Sequence, residues 1–515
     1  MKKILWICAL AVGMIACTEQ NTPSGGGSSS GGADTGDTTL VTSDTISIVW
    51  NGSAATIQGS HEGVSVENEG GYVTVTSTVE ESMTYLLSGN GTGQLTIYGV
   101  YRHQLILNGL TLTCSDGPAI NNQCHKKCYV VLQGTNSLTD GSSYATSSED
   151  RKAAFFSEGQ MIFSGSGNLH VTGNYKHALA SDDYILFAAS TGALSLKAAS
   201  DGIHANDGIY FEGGTFIIDA GADGVQCDTA TIVVNDGSIT VTAATDKGIV
   251  AYDSIIVNGG TIRITSDYKC IKTKSALVVN GGDIQVVCNG TSSGSQWAPP
   301  GGGPGGGDGP GGGPGGGGSS TENDSPEGIE AKGAITINGG FIFSQSSDDA
   351  INSGGDMTIN GGCVCAYSTS NDGIDANGNC YLNGGLVYAI GARSPEVAID
   401  TNSEEQKKLY INGGIIIAIG GIESGAQLTQ SCYQASSWSA STWYALTVGS
   451  DVFAFKTPTS GGSGMIVSGP STPTLKKSVT GNGTAIFNSM GYYPASVSGG
   501  SEVSLSSYSG GGGRW

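Results

Sequence analysis

Acidic residues recur at a steady interval around one apolar position in the second half of this 515-residue chain. The segments PEGIEAK (326–332), SDDAINS (347–353) and NDGIDAN (371–377) each place a carboxylate two residues before an isoleucine and a polar residue directly after it. Carboxylate and amide oxygens that are brought side by side are the hard ligands that Ca²⁺ takes. The pattern therefore predicts a cation site, provided that the fold stacks these segments on one another.

The acidic segments belong to a longer internal repeat. A triplet of the type Asp-Gly-Ile begins at Asp201, Asp223, Lys247, Lys269, Glu327, Asp349, Asp372 and Val397, in steps of 22, 24, 22, 58, 22, 23 and 25 residues. A second marker, Asn-Gly-Gly or Asn-Asp-Gly, begins at Asn235, Asn258, Asn280, Asn338, Asn360, Asn383 and Asn412, and it contains the same step of 58. A 36-residue insertion therefore interrupts an otherwise continuous array.

The insertion at 290–325 contains WAPPGGGPGGGDGPGGGPGGGGSS. A segment of this composition cannot bury a core, so we expect a disordered loop. Because the repeat resumes in register after it, we interpret the insertion as a loop within one domain.

Apolar residues alternate on both sides of each repeated asparagine, which is typical of β-strands. Three short strands in a coil of about 22 residues predict an all-β fold, a three-sheet parallel β-helix whose coils stack about 4.8 Å apart. Glycine at the Asn-Gly-Gly corners allows positive φ, and the asparagine amides can form a ladder between coils. A β-propeller or a β-sandwich would need longer repeats or antiparallel hairpins.

We assign the β-helix to 44–420 and a C-terminal β cap to 421–515, because the last coil needs its edge covered. One outward face of the late coils is unusually apolar, at Phe341, Cys363, Leu386 and Ile415 and at Phe343, Cys365, Tyr388 and Ile417. Such a patch is usually covered or functional. We expect segment 430–510 to cover it, and a sugar-stacking platform is the alternative.

Stacking of the coils predicts columns of acids. One column contains Glu327, Asp349 and Asp372, a second contains Glu330, Asn352, Asp375 and Asp400, and Asp348, Asn371 and Glu396 lie just before the first. Two unit charges about 4.8 Å apart repel by about 3.5 kcal/mol at an effective dielectric constant near 20. Bound Ca²⁺ would compensate this repulsion, and the wide, irregular spacing suits Mg²⁺ less. The alternative is a solvated acidic edge with raised pKa values and no metal.

A second, weaker set of candidate metal ligands lies upstream. It includes Asp201 and Asp223, and its neighbours are His204, Asp207, Gln226 and Asp228. The next coils carry Lys247, Lys269 and Lys272, so this column could neutralise itself. We expect these lysines to be surface charges on coils separate from the acidic ones.

The N-terminus has the form of a secretory signal, with two lysines and an apolar run over residues 1–16. Its end, Met14-Ile15-Ala16-Cys17, resembles a bacterial lipobox, which implies cleavage before Cys17 and lipidation of its sulfur. Residues 17–43 are polar and rich in glycine and serine, as in a flexible tether. These features predict an outer-membrane lipoprotein of the cell envelope, exposed at the surface; an ordinary signal peptide with a chance cysteine is the alternative.

Ten cysteines follow Cys17, and the expected compartment permits disulfides. Cys124-His125-Lys126-Lys127-Cys128 lacks a second pair with zinc spacing, so a disulfide or free thiols are the better interpretation. The net charge of −22 argues against a nucleic-acid partner.

The DGI and NGG coils, the Gly/Pro-rich insertion and the cysteine-anchored N-terminus resemble a family of bacterial carbohydrate-binding β-helix proteins. The resemblance covers about 175–420. It implies a right-handed parallel β-helix related to pectate lyases, bound Ca²⁺, and binding of acidic polysaccharide such as polygalacturonate or pectin. Val397 departs from the acidic column, which puts the last site in doubt.

Three functions therefore stay open. The first is a monomeric, non-enzymatic binding protein for acidic polysaccharide. The second is a Ca²⁺-dependent lyase, which would need a base such as Lys247, Lys269 or Lys272 to remove a proton α to a uronate carboxylate. The third is a structural surface adhesin.

Overall fold

A computed structural model describes residues 38–42, 44–291, 325–393 and 396–510. Within these residues the protein is all-β, and the one helical element is a 3₁₀ turn at Ser403–Glu405. The strands form a parallel β-solenoid of about 13 coils with a repeat of about 23 residues. The predicted β-helix is confirmed.

The first of three faces is a 14-stranded sheet. Its strands are Val64–Glu69, Tyr72–Ser77, Gln94–Gly99, Ile120–Asn122, Ala153–Ser157, His177–Ser181, Ile203–Ala205, Val225–Cys227, Lys247–Ala251, Lys269–Thr273, Ile329–Ala331, Ile351–Ser353, Ile374–Ala376 and Ile399–Thr401. The first two strands form an antiparallel hairpin, and each later strand pairs in parallel with its predecessor.

The second and third faces are joined by hydrogen bonds through long early strands that pair with both. The long strands are Asp44–Gly52, Met83–Thr92 and His103–Thr113, and the shorter strand Ala54–Gln58 pairs antiparallel with the first of them. The second face consists of Cys128–Gln133, Met161–Ser164, Ile185–Phe187, Ile209–Phe211, Ile232–Val234, Ile255–Val257, Leu277–Val279, Ile335–Ile337, Met357–Ile359, Cys380–Leu382, Leu409–Ile411 and Gln427–Leu428. The third face consists of Thr135–Thr139, Asn168–Gly173, Ala193–Ala198, Thr215–Ala220, Ser238–Ala244, Thr261–Ser266, Asp283–Cys288, Phe341–Ser346, Cys363–Ser368, Leu386–Ile390 and Ile415–Ile419.

The core runs along the solenoid axis and is filled by the inward residues of all three faces. The isoleucines of the acidic segments are part of it: Ile351 and Ile374 have no exposed surface. At the corners, Gly340, Gly362 and Gly385 have φ of 88°, 82° and 79°. Positive φ at the Asn-Gly-Gly corners is thus confirmed, and it explains why glycine stands there.

The asparagine ladder is present, and it crosses the insertion. Asn338 Nδ2 donates to Asn280 Oδ1 over 2.8 Å, although the two residues are 58 apart in sequence. Strand pairs continue across the same junction on all three faces. The prediction that the chain returns in register is confirmed.

The C-terminal region extends the third face and then covers it. Strands Cys432–Trp438, Gly462–Ser468 and Ser506–Tyr508 continue the third face with antiparallel pairing. Four further strands form a closed barrel: Trp443–Val448, Asp451–Lys456, Thr474–Ile486 and Gly491–Val503.

The apolar patch of the late coils packs against this region. Phe343, Tyr388 and Ile417 share one buried cluster with residues such as Phe453 and Phe455 of the barrel. The prediction that 430–510 covers the patch is confirmed, apart from Phe341, which stays 47% exposed.

The predicted signal segment, Cys17, most of the tether and nearly all of the insertion lie outside the described residues. Among the residues that the structure does describe, no helix has the length and apolar character to cross a membrane. The ten cysteines after Cys17 are buried, free thiols.

Candidate functional site

The predicted acidic columns lie on the outer side of the first face. Strand register aligns Lys272, Glu330, Asn352, Asp375 and Asp400 in one column on five successive coils. Each column residue stands between a buried isoleucine and a buried alanine, serine or threonine, so the column residue itself is on the opposite side of the strand from the core. The structure therefore brings the sequence-predicted residues together as stacked columns.

The acids that precede the isoleucines have a structural role of their own. Four of them, all aspartates, each accept the backbone N–H at the equivalent position of the next coil with one carboxylate oxygen. With the N–H donor named first and the carboxylate acceptor second, the pairs are Asp223 and Asp201 (3.2 Å), Lys247 and Asp223 (2.9 Å), Asp372 and Asp349 (3.1 Å), and Val397 and Asp372 (2.6 Å). A buried N–H needs an acceptor, so the recurrence of these acids is explained in part without any cation.

The aspartate cluster comprises Asp348, Asp349, Asp372 and Asp375, on two adjacent coils. Asp349 and Asp372 are each only 6% exposed. Burial raises the pKa of Asp349 well above its ordinary value, and the charges of Asp375, Asp348 and Asp372 raise it further. Burial, Asp348 and Glu396 raise the pKa of Asp375 from 3.8 to about 6. These carboxylates therefore repel one another in a poorly solvated place.

Two amides lie among these carboxylates. Asn371 Nδ2 donates to Asp348 Oδ1 over 2.5 Å. Asn352 Nδ2 donates to Asp349 Oδ2 over 3.3 Å and to Glu327 Oε1 over 3.2 Å. These contacts relieve part of the repulsion and add neutral oxygen atoms to the neighbourhood.

The aspartate cluster offers the kind of ligand atom that Ca²⁺ takes. The donor atoms here are all carboxylate or amide oxygens, and mutual repulsion raises the free energy of the site when no cation is bound. Asp348, Asp349, Asp372 and Asp375, with Asn352 and Asn371, are the residues that would hold the ion.

Glu327 and Glu330 belong to a different environment, which we name the lysine–glutamate cluster together with Lys269, Lys272 and Lys332. Lys269 Nζ lies 2.9 Å from Glu327 Oε2 and 3.2 Å from Glu330 Oε2. Lys272 Nζ lies 3.9 Å from Glu330, and Lys332 also pairs with it. Lys269 and Lys272 do lie on a different coil from Glu327 and Glu330, as expected, but strand pairing across the insertion makes the two coils direct neighbours, and their side chains form ion pairs that the sequence did not predict.

The lysines are not the surface charges that we expected. Lys269 is 1% exposed and Lys272 is 3% exposed. Burial disfavours the charge of Glu330, but Lys269, Lys332 and Lys272 outweigh it and lower its pKa. Burial raises the pKa of Glu327 to about 7 despite its contact with Lys269.

The upstream candidates lie several coils away from the aspartate cluster. Asp201 contacts two histidines: its Oδ2 is 3.1 Å from His177 Nδ1 and 2.9 Å from His204 Nδ1. Asp223 lies 4.0 Å from Lys247 Nζ, and burial raises its pKa to about 7. The structure thus separates Asp201 and Asp223 from the downstream acids.

Sequence reasoning missed His177 and Glu423. His177-Ala178-Leu179 stands one repeat before the Asp201 triplet, so extension of the alignment by one coil would have found it. Ile422 forms a bridge to Ile399, which places Glu423 beside Asp400 at the end of the second column. Burial and a hydrogen bond with Glu423 raise the pKa of Asp400 to about 9.

Comparison with known proteins assigns the chain to a family. The family described as carbohydrate-binding domain-containing protein matches residues 69–373, more than half of the chain, and the chain belongs to this family. Among solved structures, the chain is similar to the polysaccharide lyase-like protein from C. thermocellum, studied as a gadolinium derivative. That similarity has 23% sequence identity and a TM-score of 0.34, and it covers 48% of this chain and 95% of that chain. No curated protein matches the chain.

Proposed function

We propose that this carbohydrate-binding protein binds acidic polysaccharide through Ca²⁺ held by the aspartate cluster. The observation that carries the proposal is the clustering of Asp348, Asp349, Asp372 and Asp375 on two adjacent coils, where burial and neighbouring carboxylates raise the pKa of Asp349 and of Asp375. Such a cluster is stabilised when a cation binds.

Backbone hydrogen bonds orient two of the four aspartates of this site. The backbone amides of Asp372 and Val397 each donate to one carboxylate oxygen of the aspartate on the preceding coil, so Asp349 and Asp372 are fixed in orientation.

The net charge of −22 repels a polyuronate chain, so direct contact between the polysaccharide and the acidic coils is unfavourable. Bound Ca²⁺ supplies positive charge and open coordination positions for uronate carboxylates.

A lyase remains the second candidate, and its support among the residues that the structure describes is the buried lysines. A lyase base must be free to take a proton from the substrate, whereas Lys269 and Lys272 are buried and held in ion pairs with Glu327 and Glu330. This pairing favours binding over cleavage.

The test measures polygalacturonate binding by the full chain and formation of unsaturated product in the same samples, with Ca²⁺ and with a chelator. We expect the wild type to bind polygalacturonate and to form no unsaturated product. The chelator should abolish this binding, and Asp372→Asn plus Asp375→Asn should weaken it by about tenfold or more. Glu404→Gln plus Glu405→Gln is the matched control, because it removes the same charge from an exposed turn. Binding that survives both the chelator and the aspartate variant would overturn the proposal. Product formation that Lys269→Ala abolishes would make the protein a lyase.

We further propose that lipid on Cys17 anchors the protein at the outer membrane. The support is the apolar run that ends in a lipobox-like segment, followed by a polar tether. Cys17→Ser should move the protein from the detergent phase to the aqueous phase in a phase-partition assay. Wild-type protein that partitions into the aqueous phase would contradict the anchor.

A further inference from the structure

Three side chains with metal-binding atoms converge upstream of the lysine–glutamate cluster. This histidine cluster comprises His177 on one coil and Asp201 and His204 on the next. The three residues are 5%, 4% and 8% exposed, and one ligand atom from each lies within 4.8 Å of the other two. We propose that they bind a divalent transition-metal ion of the Zn²⁺ class, at a site separate from the aspartate cluster.

The donor types select the metal. Two imidazole nitrogens and one carboxylate oxygen form a set that Zn²⁺ and its borderline neighbours favour, whereas Ca²⁺ takes oxygen ligands. Two donor atoms that are each about 2.1 Å from a tetrahedral zinc ion lie about 3.4 Å apart. In the protein, Asp201 Oδ2 lies 3.1 Å from His177 Nδ1 and 2.9 Å from His204 Nδ1, so only a small expansion is needed.

A second layer of contacts orients the carboxylate and one imidazole. His204 Nε2 lies 3.2 Å from Asp228 Oδ2 on the following coil, and a proton on Nε2 leaves the Nδ1 lone pair directed at the site. The other oxygen of Asp201 accepts the Ser200 hydroxyl over 3.2 Å and the Asp223 amide over 3.2 Å. A carboxylate behind a metal-binding histidine is a usual feature of built metal sites.

Ion binding requires one ring to move. The imidazoles of His177 and His204 are stacked, with centroids 4.4 Å apart and planes inclined by 28°. Lone pairs in such nearly parallel planes do not meet at one point, so one ring has to turn about its Cβ–Cγ bond. A turn of the His177 ring also releases the weak hydrogen bond that Nδ1 accepts from the Asp201 amide, over 3.3 Å. The bound ion then links two coils directly, and Asp228 adds a third.

The test is equilibrium dialysis of the full chain against Zn²⁺, together with the visible absorption spectrum after Co²⁺ is added. We expect one ion per chain, a d–d spectrum of nitrogen and oxygen ligation, and a rise in the melting temperature. Both His204→Gln and Asp201→Asn should abolish binding, and the asparagine keeps an oxygen to accept the Asp223 amide. Asp228→Asn should weaken binding by about 10–100-fold, as expected for a residue that positions a ligand.

Two controls separate this site from the rest of the chain. His170→Gln removes an exposed imidazole, and Asp372→Asn plus Asp375→Asn removes half of the aspartate cluster; both variants should retain Zn²⁺. Zn²⁺ binding that is unchanged in His204→Gln and Asp201→Asn would place the ion elsewhere on the chain and overturn the proposal. No binding of Zn²⁺ at micromolar concentration by the wild-type chain would also overturn it.

Discussion

The coils before the insertion and the coils after it share one backbone repeat but present different outer surfaces. On the first face, the coil just before the insertion carries Lys269 and Lys272, whereas the second and third coils after it carry the aspartate cluster. On the third face, residues such as Arg263 and Gln285 give way to Phe343 and the apolar residues stacked on it.

This difference shows that the fold constrains the inward residues of each coil and allows the outward residues to vary. The inward residues are apolar on both sides of the insertion because they fill one continuous core. The outward residues have no such constraint, and the lysine–glutamate cluster forms where the two kinds of coil meet. Ion pairs therefore lie at the boundary between the two kinds of coil, and the aspartate cluster lies beyond it.

The largest expected effect concerns the apolar third face of the late coils. Truncation after residue 425 removes the strands and the barrel that cover Phe343, Tyr388 and Ile417. We expect this chain to aggregate, because it exposes a large apolar patch and an unpaired strand edge. Size-exclusion chromatography with light scattering measures this directly.

The same truncation with Phe343→Thr and Ile417→Thr is the matched variant, and it should be more soluble. A truncated wild-type sequence that stays folded and monomeric would support the sugar-stacking platform in place of a covered face.

The next effect concerns the boundary between the two kinds of coil. Lys269→Met leaves Glu327 and Glu330 buried without their central cation, and loss of one partner of a buried ion pair costs about 3–5 kcal/mol. Lys332→Met is the control, because the Lys332 side chain is 51% exposed and the expected loss is below about 1 kcal/mol. Urea unfolding compares the two variants, and equal losses would show that burial of the ion pair does not matter.

A smaller effect should distinguish the aspartate cluster by its pH dependence. The pKa of Asp375 rises from 3.8 to about 6 in the folded protein, so the native state binds more protons than the unfolded state between these values. Its contribution to stability is present at low pH and is lost as the pH rises through about 6. Without Ca²⁺, we expect Asp375→Asn to be more stable than wild type at pH 7, by on the order of 2 kcal/mol, but not at pH 4.

The measurement is chemical unfolding of both proteins in chelator at the two pH values. Addition of Ca²⁺ at pH 7 should make the wild type more stable than Asp375→Asn, since only the wild type offers the ion all four aspartates. A difference between the proteins that does not vary with pH would contradict the mutual repulsion of these carboxylates.

The sequence predicted those features that depend on the repeat alone. The inward isoleucines, the asparagine ladder and the register across the insertion follow from one spacing, because a solenoid converts a sequence period into contact between neighbouring coils. The covered apolar face could also be predicted, since Phe343 and Ile417 stand at a position that is polar in the three coils before the insertion.

Contacts made by long side chains could not be predicted in this way. Lys269 reaches Glu327 and Glu330 on the next coil, although an insertion separates them in sequence. His177 lies where the repeat is weak, and Glu423 lies after the last Asn-Gly-Gly marker. Both residues extend known columns, but only the strand pairing shows it.

Calorimetric titration of Ca²⁺ into the full chain tests the central claim most directly, because it needs no polysaccharide. The wild type should bind Ca²⁺ with an affinity that Asp372→Asn plus Asp375→Asn weakens by about tenfold or more, whereas Glu404→Gln plus Glu405→Gln should not change it. Equal binding by wild type and the aspartate variant, or no binding by either, would contradict the assignment of the aspartate cluster as a calcium site.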